Sequence, residues 1–129
     1  MKTNLETIKE LYQNFSAKNT EAIRELFADD ISWKQMEGFP NGGHYIGADA
    51  IFKNVFAGFG ENWTGWSASI DEFVATGDDV FAIGKYSGTY NKTQKSMEAA
   101  FIHRYRLSDG KVKQFVQYTD TQLVANAMN

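Results

Sequence analysis

Two side chains in the last third of the sequence have the chemistry of an acid–base site. His103 lies in the segment from Met97 to Leu107, where alternation places it among aromatic and aliphatic side chains. Imidazole titrates near neutral pH, so it can donate to an oxyanion or carry a proton. Asp120 stands where the last predicted strand ends. Polar groups on an otherwise apolar sheet face indicate a pocket, and we expect His103 and Asp120 to be its catalytic residues.

Both residues also have structural explanations. His103 is equally well explained as a core histidine that is bonded to a neighbouring carbonyl. Asp120 precedes Thr121-Gln122-Leu123 and could cap a helix there. A carboxylate that already accepts from helix amides has a lowered pKa and makes a poor base. The sequence leaves both alternatives open.

Four further residues are predicted to contact a bound molecule. Trp33 and Gln35 share one face of the first predicted strand, and Tyr86 faces the same space. Trp33 offers a flat apolar wall, and Gln35 offers two donors and an acceptor. His44 lies in a loop bordered by glycines, where it either closes the mouth of the pocket or is solvated.

No metal and no cofactor are expected. His44 and His103 cannot form a zinc site by themselves, and no other His, Asp or Glu pair stands out at metal-ligand spacing. The chain has no cysteine, which excludes disulfides, thiolate catalysis and cysteine-bound zinc.

Length and charge limit the kinds of partner. With 129 residues the chain is expected to form one domain, residues 1–129. The net charge of −3 argues against nucleic acid, which needs a clustered basic face. No run of about 18 apolar residues exists, so no membrane span is expected. Because the amphipathic start lacks the apolar run of a signal peptide, we predict a cytoplasmic protein. The expected partner is a small apolar molecule.

Helices are predicted in the first half of the chain. The apolar spacing there follows the helical period, with cap residues and breakers between the helical segments. The predicted elements are, in order, a helix capped by Thr3 and Glu6 that fades at Lys18-Asn19, a helix capped by Thr20 that Asp29-Asp30 ends, a strand from Ile31 to Met36, a loop from Glu37 to Gly43 and a helix opened by Gly47.

Strands are predicted from Trp66 onward, because the apolar period changes to two. These strands are Trp66 to Ala75, Val80 to Tyr90, Met97 to Leu107 and Lys111 to Thr119, before a closing helix capped by Thr119-x-x-Gln122. Early helices and grouped strands are the pattern of an α+β fold. We expect a curved antiparallel sheet wrapped around the N-terminal helices as a cone.

Several short motifs occur in order along the chain: Leu26-Phe27-Ala28-Asp29-Asp30, Gly47-x-x-x-Ile51, Gly84-x-Tyr86-x-Gly88, and Asp109-Gly110-Lys111-Val112 leading to Tyr118-x-Asp120. In this order they resemble the SnoaL-like group, which belongs to the NTF2-like (cystatin-like) superfamily of nuclear transport factor 2 and the ketosteroid isomerases. The resemblance covers nearly the whole chain. It implies a cone-shaped fold with an apolar cavity, often a homodimer through the outer sheet face. It implies no single activity, since members range from polyketide cyclases to pure binding modules.

The ketosteroid isomerase pattern is only partly kept. Members of that branch use a tyrosine on the first helix as an oxyanion donor, an aspartate after the first strand as the base, and a protonated acid on the penultimate strand. Those positions fall here at Leu11, with Tyr12 beside it on another face, at Gln35 and at His103. An amide cannot take a proton at neutral pH, so steroid isomerisation by that route is not expected. The polyketide-cyclase branch, with its histidine and aspartate, fits better.

Three functions follow as hypotheses. The first is a cyclase-, isomerase- or dehydratase-type enzyme that removes a proton next to a carbonyl group. His103 would donate to the enolate oxygen, Asp120 would be the acid or base, and Gln35 would orient the substrate. The second is a non-catalytic ligand-binding module, since Leu11 and Gln35 replace catalytic groups. The third is an interaction protein that uses only its outer sheet face.

Overall fold

Two helices begin the chain and pack against one face of the sheet. The computed structural model describes residues 2–129, with α1 at Asn4–Ala17 and α2 at Thr20–Leu26. The predicted capping box is confirmed, because Thr3 accepts from the Glu6 amide and Glu6 accepts from the Thr3 amide. Helix α2 is capped by Asn19 rather than by Thr20. It also ends four residues before Asp30, because the chain from Phe27 onward already belongs to a strand.

The sheet has six strands in the order β2-β1-β6-β5-β4-β3. They are β1 (Phe27–Gln35), β2 (Gly43–Ile46), β3 (Trp63–Thr76), β4 (Asp79–Tyr90), β5 (Ser96–Ser108) and β6 (Lys111–Thr119). Strand β1 runs parallel to β6, and all other neighbouring strands are antiparallel. Strand β2 was not predicted from the sequence, and His44 lies in this edge strand and not in a loop. The predicted α+β class is confirmed.

Strand β3 departs from the predicted alternation. Its register with β4 shifts between Ile70 and Glu72, as in a β-bulge. Beyond the bulge, Phe73 packs against the core, whereas Val74 is 44% exposed. The single period of two predicted from Trp66 to Ala75 is therefore wrong beyond Ile70, because one extra residue reverses the two faces.

The third helical region begins after Gly47, as predicted. It consists of α3 (Ala48–Ile51), a π-helical turn (Phe52–Phe56) and α4 (Ala57–Asn62). Gly47 has φ of 87°, a conformation that favours glycine. Apolar side chains of this region, among them Ile51, Val55 and Phe56, pack into the main core.

A loop and the last helix cover one end of the sheet. Helix α5 spans Thr121–Met128, and its Val124 and Ala127 are buried in a second, smaller core cluster. The loop at 36–42 adds Phe39 to the same cluster. The other buried members are Trp63, Tyr86, Ala99 and Phe101. Within residues 2–129, no helix is long and apolar enough to cross a bilayer.

Candidate functional site

His103 lies on β5 with a tyrosine hydroxyl at each ring nitrogen. The Tyr12 hydroxyl is 2.5 Å from Nδ1, and the Tyr86 hydroxyl is 2.5 Å from Nε2. Alternation along β5 and β4 turns His103 and Tyr86 to the same sheet face, where Ala82 pairs with His103. Helix α1 lies over that face and brings Tyr12 from the other side.

Two more side chains extend this arrangement. Tyr105, two residues along β5, donates to the Tyr12 hydroxyl over 2.7 Å. Gln117 of β6 pairs with His103 across the sheet and donates to the Tyr86 hydroxyl over 2.8 Å. We call Tyr105, Tyr12, His103, Tyr86 and Gln117 the imidazole network.

Burial keeps every member of the imidazole network neutral. His103 is only 5% exposed, and burial lowers the pKa of its imidazole to about 3. The Phe101 ring stacks on the imidazole with centroids 3.9 Å apart. Burial also raises the pKa of Tyr12, Tyr86 and Tyr105 above the usual phenol value. At neutral pH, His103 is therefore a neutral donor and acceptor rather than a cation.

The hydrogens of the imidazole network do not all find acceptors within it. A neutral imidazole carries one hydrogen, so His103 donates through one nitrogen and accepts through the other. If Nε2 carries it, Tyr12 donates to Nδ1, and Tyr86 accepts from both His103 and Gln117. The hydroxyl hydrogen of Tyr86 then has no acceptor in the network. If Nδ1 carries it, the surplus hydrogen is that of Tyr12.

This surplus donor determines what the network can bind. A buried donor without an acceptor costs roughly 1–3 kcal/mol, so an acceptor oxygen brought to it would be favourable. A carbonyl, enolate or phenolate oxygen supplies such an acceptor. A shift between the two His103 tautomers moves the surplus hydrogen between Tyr86 and Tyr12 without creating a charge.

A second buried polar group surrounds Gln35. Its side-chain oxygen accepts from the Trp33 indole over 2.9 Å, and its nitrogen donates to the Asn41 side chain over 2.9 Å. Asn41 in turn donates to the backbone carbonyl of Val55 in the π-helical turn. We call Trp33, Gln35 and Asn41 the amide network. Trp33 and Gln35 were predicted to contact a ligand. Their observed hydrogen-bond partners are other side chains of the protein.

Asp120 caps α5. Its Oδ1 accepts from the Leu123 amide over 3.2 Å, and the residue is exposed at the start of the helix. The predicted cap at Thr119 is thus wrong, and the structural alternative considered for Asp120 is the contact observed. Among residues 2–129, no hydrogen bond joins Asp120 to His103. The role of Asp120 as an acid or base therefore stays a prediction.

His44 is exposed on the edge strand β2. Its Nε2 lies 2.6 Å from the Ser32 hydroxyl of the neighbouring strand β1. It does not contact the imidazole network. Within residues 2–129, no group of three or more His, Cys, Asp or Glu side chains is arranged to hold a metal ion.

Three members of the imidazole network were not predicted from the sequence. Tyr12 was placed on another face of α1, yet its hydroxyl reaches His103. Tyr105 could have been found, since it alternates onto the same side of β5 as His103. Gln117 follows the same rule on β6, where it is a polar residue at an inward position between Phe115 and Thr119.

Two surface depressions, of about 410 and 340 Å³, lie away from these networks. Both are lined by Arg24, Phe27, Ala28 and Asp29, and neither is bordered by His103. Arg24 pairs with Asp49 over 2.8 Å in this region. The His103 ring lies instead among aromatic side chains of the core.

Comparison with known proteins identifies close structural relatives. An NTF2-like protein from Burkholderia thailandensis E264 is 40% identical, with a TM-score of 0.97 over 100% of this chain and 99% of that chain. TerC, co-crystallised with polyporic acid, is 24% identical, with a TM-score of 0.87 over 97% of each chain. A protein with a ketosteroid isomerase-like fold from Catenulispora acidiphila DSM 44928, in complex with trimethylamine, is 17% identical, with a TM-score of 0.82 over 97% of this chain and 93% of that chain.

The family of this chain is shown by a match to a protein-family model as well as by a structural relative. A comparison with curated protein sequences found no match. Residues 8–115 match the SnoaL-like domain, which is most of the chain. This match and the NTF2-like relative agree with the observed order of helices and strands. The chain therefore belongs to the SnoaL-like family and has the NTF2-like fold.

Proposed function

We propose that this protein binds a small, largely apolar molecule through one oxygen atom and stabilises negative charge on that oxygen. The surplus donor of the imidazole network carries the proposal. In the tautomer with the His103 hydrogen on Nε2, Tyr86 presents the surplus hydrogen, and its oxygen accepts from His103 and from Gln117. Small molecules bound by TerC and by the Catenulispora protein support a ligand-binding use of this fold.

The reaction that suits such a donor is removal of a proton from the carbon next to a carbonyl group. The base takes the proton, the electron pair of the broken C–H bond forms the C=C bond of the enolate, and the π pair of the carbonyl moves onto the oxygen, to which Tyr86 donates. A positioned donor of this kind contributes about 10²–10³ in rate. Because His103 stays neutral, it assists as a hydrogen-bonding group and not as an imidazolium acid.

Two candidate functions, an enzyme and a non-catalytic binding module, differ in whether a base is present to take the proton. Asp120 stays our proposed acid or base, reached from the helix end when a ligand is bound. Among residues 2–129, however, no carboxylate hydrogen-bonds to the imidazole network, and this observation favours a non-catalytic binding module as the second candidate. Trp33, Gln35 and His44 stay predictions as ligand contacts.

Acetophenone, cyclohexyl methyl ketone and ethylbenzene test the binding proposal by calorimetry. We expect acetophenone to bind more tightly than ethylbenzene, by about tenfold for one good hydrogen bond. Tyr86→Phe should abolish that preference, since it keeps the ring and removes the hydroxyl. Tyr90→Phe is the matched control, because Tyr90 packs in the same region but lies outside the network. Equal affinity of the wild-type protein for acetophenone and ethylbenzene would overturn the proposal.

Exchange of the ketone's α-hydrogens in D₂O separates enzyme from binding module. An enzyme of the proposed type speeds the loss of the methyl proton signal of acetophenone, and Tyr86→Phe slows this loss about 10²-fold. Ketone-selective binding without accelerated exchange would assign the chain to the binding module.

We also propose a homodimer through the outer sheet face. Ile102 and Tyr118 are paired on neighbouring strands of that face and are 40% and 47% exposed. Ile83 pairs with Ile102 from the other side and widens the apolar strip. Light scattering should give twice the chain mass. Ile102→Asp should give monomers, whereas Ile46→Asp on the edge strand should not. The cytoplasmic location stays a prediction.

A further inference from the structure

One ring of the second core cluster comes from a loop. Phe39 is 4% exposed, whereas its neighbours Glu37, Gly38 and Pro40 are all exposed. It is the only residue between 37 and 42 whose side chain is buried. The loop therefore inserts a single aromatic side chain into the end of the fold.

The rings that contact Phe39 form an aromatic cage, made of Phe59, Trp66 and Tyr86. Their centroids lie 6.1, 6.1 and 5.7 Å from that of Phe39. Phe59 and Trp66 stack with centroids 4.4 Å apart and planes within 3°. The cage thus presents faces and edges that suit a flat aromatic ring.

Tyr86 belongs to the cage and to the imidazole network at once. Its ring packs against Phe39, while its hydroxyl lies against His103 and Gln117. A ring that replaced Phe39 in the cage would therefore lie on the residue that holds the surplus donor. No other residue takes part in both groups.

The hydrogen bonds that join the loop to the rest of the fold lie at its two ends rather than at Phe39. At the start, the Met36 amide donates to Gln117 over 3.0 Å, and at the end Asn41 bonds to Gln35 and Val55. Between these anchors, Phe39 makes only the loop's own backbone turn bonds, to Met36 and Gly42. Gly38, directly before Phe39, has φ of 97°, a conformation that favours glycine.

We infer that Phe39 occupies the place of the ligand and that the ligand is a planar aromatic carbonyl compound. Its ring displaces that of Phe39 from the aromatic cage, and its oxygen accepts from Tyr86. The oxygen contact rests on the function proposed above, whereas the displacement rests on the cage alone. The apparent affinity is then the intrinsic affinity multiplied by the fraction of molecules in which Phe39 has left the cage.

The first test follows Phe39 by NMR in the wild-type protein during titration with acetophenone. Ring currents of the cage shift the Phe39 ring resonances in the free protein. At saturation we expect them to move to the values of a solvent-exposed phenylalanine, and acetophenone to bind about tenfold more tightly than cyclohexyl methyl ketone. Saturable binding with the Phe39 shifts unchanged would overturn the inference.

The second test locks the loop. A Cβ atom at Gly38 would lie 3.5 Å from Cβ of Thr121, which suits a disulfide. The chain has no cysteine, so Gly38→Cys with Thr121→Cys can form only one intramolecular bond. The oxidised variant should bind acetophenone at least about tenfold more weakly than the same variant reduced. Strain at position 38 is common to both forms and cancels, and equal affinity would contradict the displacement.

The outcomes separate the two proposals. If acetophenone and cyclohexyl methyl ketone bind equally, both better than ethylbenzene and with Phe39 in place, the oxygen site stands and the displacement fails. If acetophenone and ethylbenzene bind equally and both expel Phe39, the cage stands and the oxygen site fails. If the double cysteine variant does not fold, the NMR titration of the wild-type protein decides.

Discussion

The two buried polar networks of this protein differ in what their hydrogens can do. In the amide network, the contacts of Gln35 join two side chains to the helix backbone through Asn41. In the imidazole network, the same kind of chain ends with a hydroxyl hydrogen that has no acceptor. The amide network anchors the end of the loop at 36–42, whereas the imidazole network keeps a hydrogen-bond donor available.

The difference comes from the residue types. An amide has fixed donors and acceptors, so it can only match partners of complementary kind. Imidazole and phenol groups can each donate or accept, so the direction of their hydrogen bonds can reverse. Evidence that both networks respond alike to substitution would remove the basis of the proposed function.

The largest expected effect is on the amide network. Gln35→Leu leaves the Trp33 indole and the Asn41 amide without their partner, and we expect a loss of about 3 kcal/mol in the free energy of unfolding. Urea unfolding measures it. Gln122→Leu, at an exposed position of α5, is the control and should change stability by less than about 0.5 kcal/mol. A loss at Gln35 no larger than the control's would show that this network anchors nothing.

The second-largest expected effect is that of acid on the imidazole network. The folded-state pKa of His103 is about 3, below that of an unfolded histidine, so the unfolded chain binds a proton first. Stability is full above about pH 6.5 and falls as the pH is lowered towards 3. Between pH 7.5 and pH 5 we expect a loss of about 2 kcal/mol, measured by urea unfolding. In His103→Gln this part of the pH dependence should vanish; its persistence would contradict a neutral buried imidazole.

Removal of the terminal donor should have a smaller effect. Tyr105→Phe breaks one hydrogen bond to Tyr12 and should cost about 1 kcal/mol. The preference for ketone over hydrocarbon should persist, because Tyr86 keeps its surplus hydrogen. Tyr118→Phe, on the outer sheet face, is the matched control for stability. Loss of ketone preference in Tyr105→Phe would mean that the donor is supplied from the Tyr12 side.

The smallest pair of effects tests Asp120, which lies outside both networks. Asp120→Ala should lower stability by about 1 kcal/mol through loss of the helix cap. Asp120→Asn should retain the cap within a few tenths of a kcal/mol. If Asp120→Asn also leaves α-hydrogen exchange unchanged, Asp120 is a cap only; a large drop would support its role as acid or base.

Much of the fold was predictable because local signals and tertiary structure agree. The turn at Asp109-Gly110 has φ of 53° and 77°, as a tight hairpin with these residues requires. The capping box at Thr3 and the exact span of β6 were predicted from adjacent residues. The failures lie where a long-range contact decides, as at the four-residue strand β2, which is ordered by pairing with β1.

The site was predictable only in part for the same reason. His103 and Tyr86 were both predicted to line a pocket, and the structure places them in hydrogen-bond contact. Alternation could not show that Tyr12 reaches across from α1, since that depends on how the helix rotates over the sheet. Nor could it find Phe39, which looks like an ordinary loop residue beside Pro40 until the loop is folded over Tyr86.

The π-helical turn at Phe52–Phe56 has a consequence for how this sequence can change in evolution. Such a turn accommodates one residue more than an α-helix would. Deletion of a single residue there would restore a regular helix while the helical turns on either side keep their orientation. Phe59 would then stay stacked on Trp66, so relatives that are one residue shorter at this point should keep the same pair of rings.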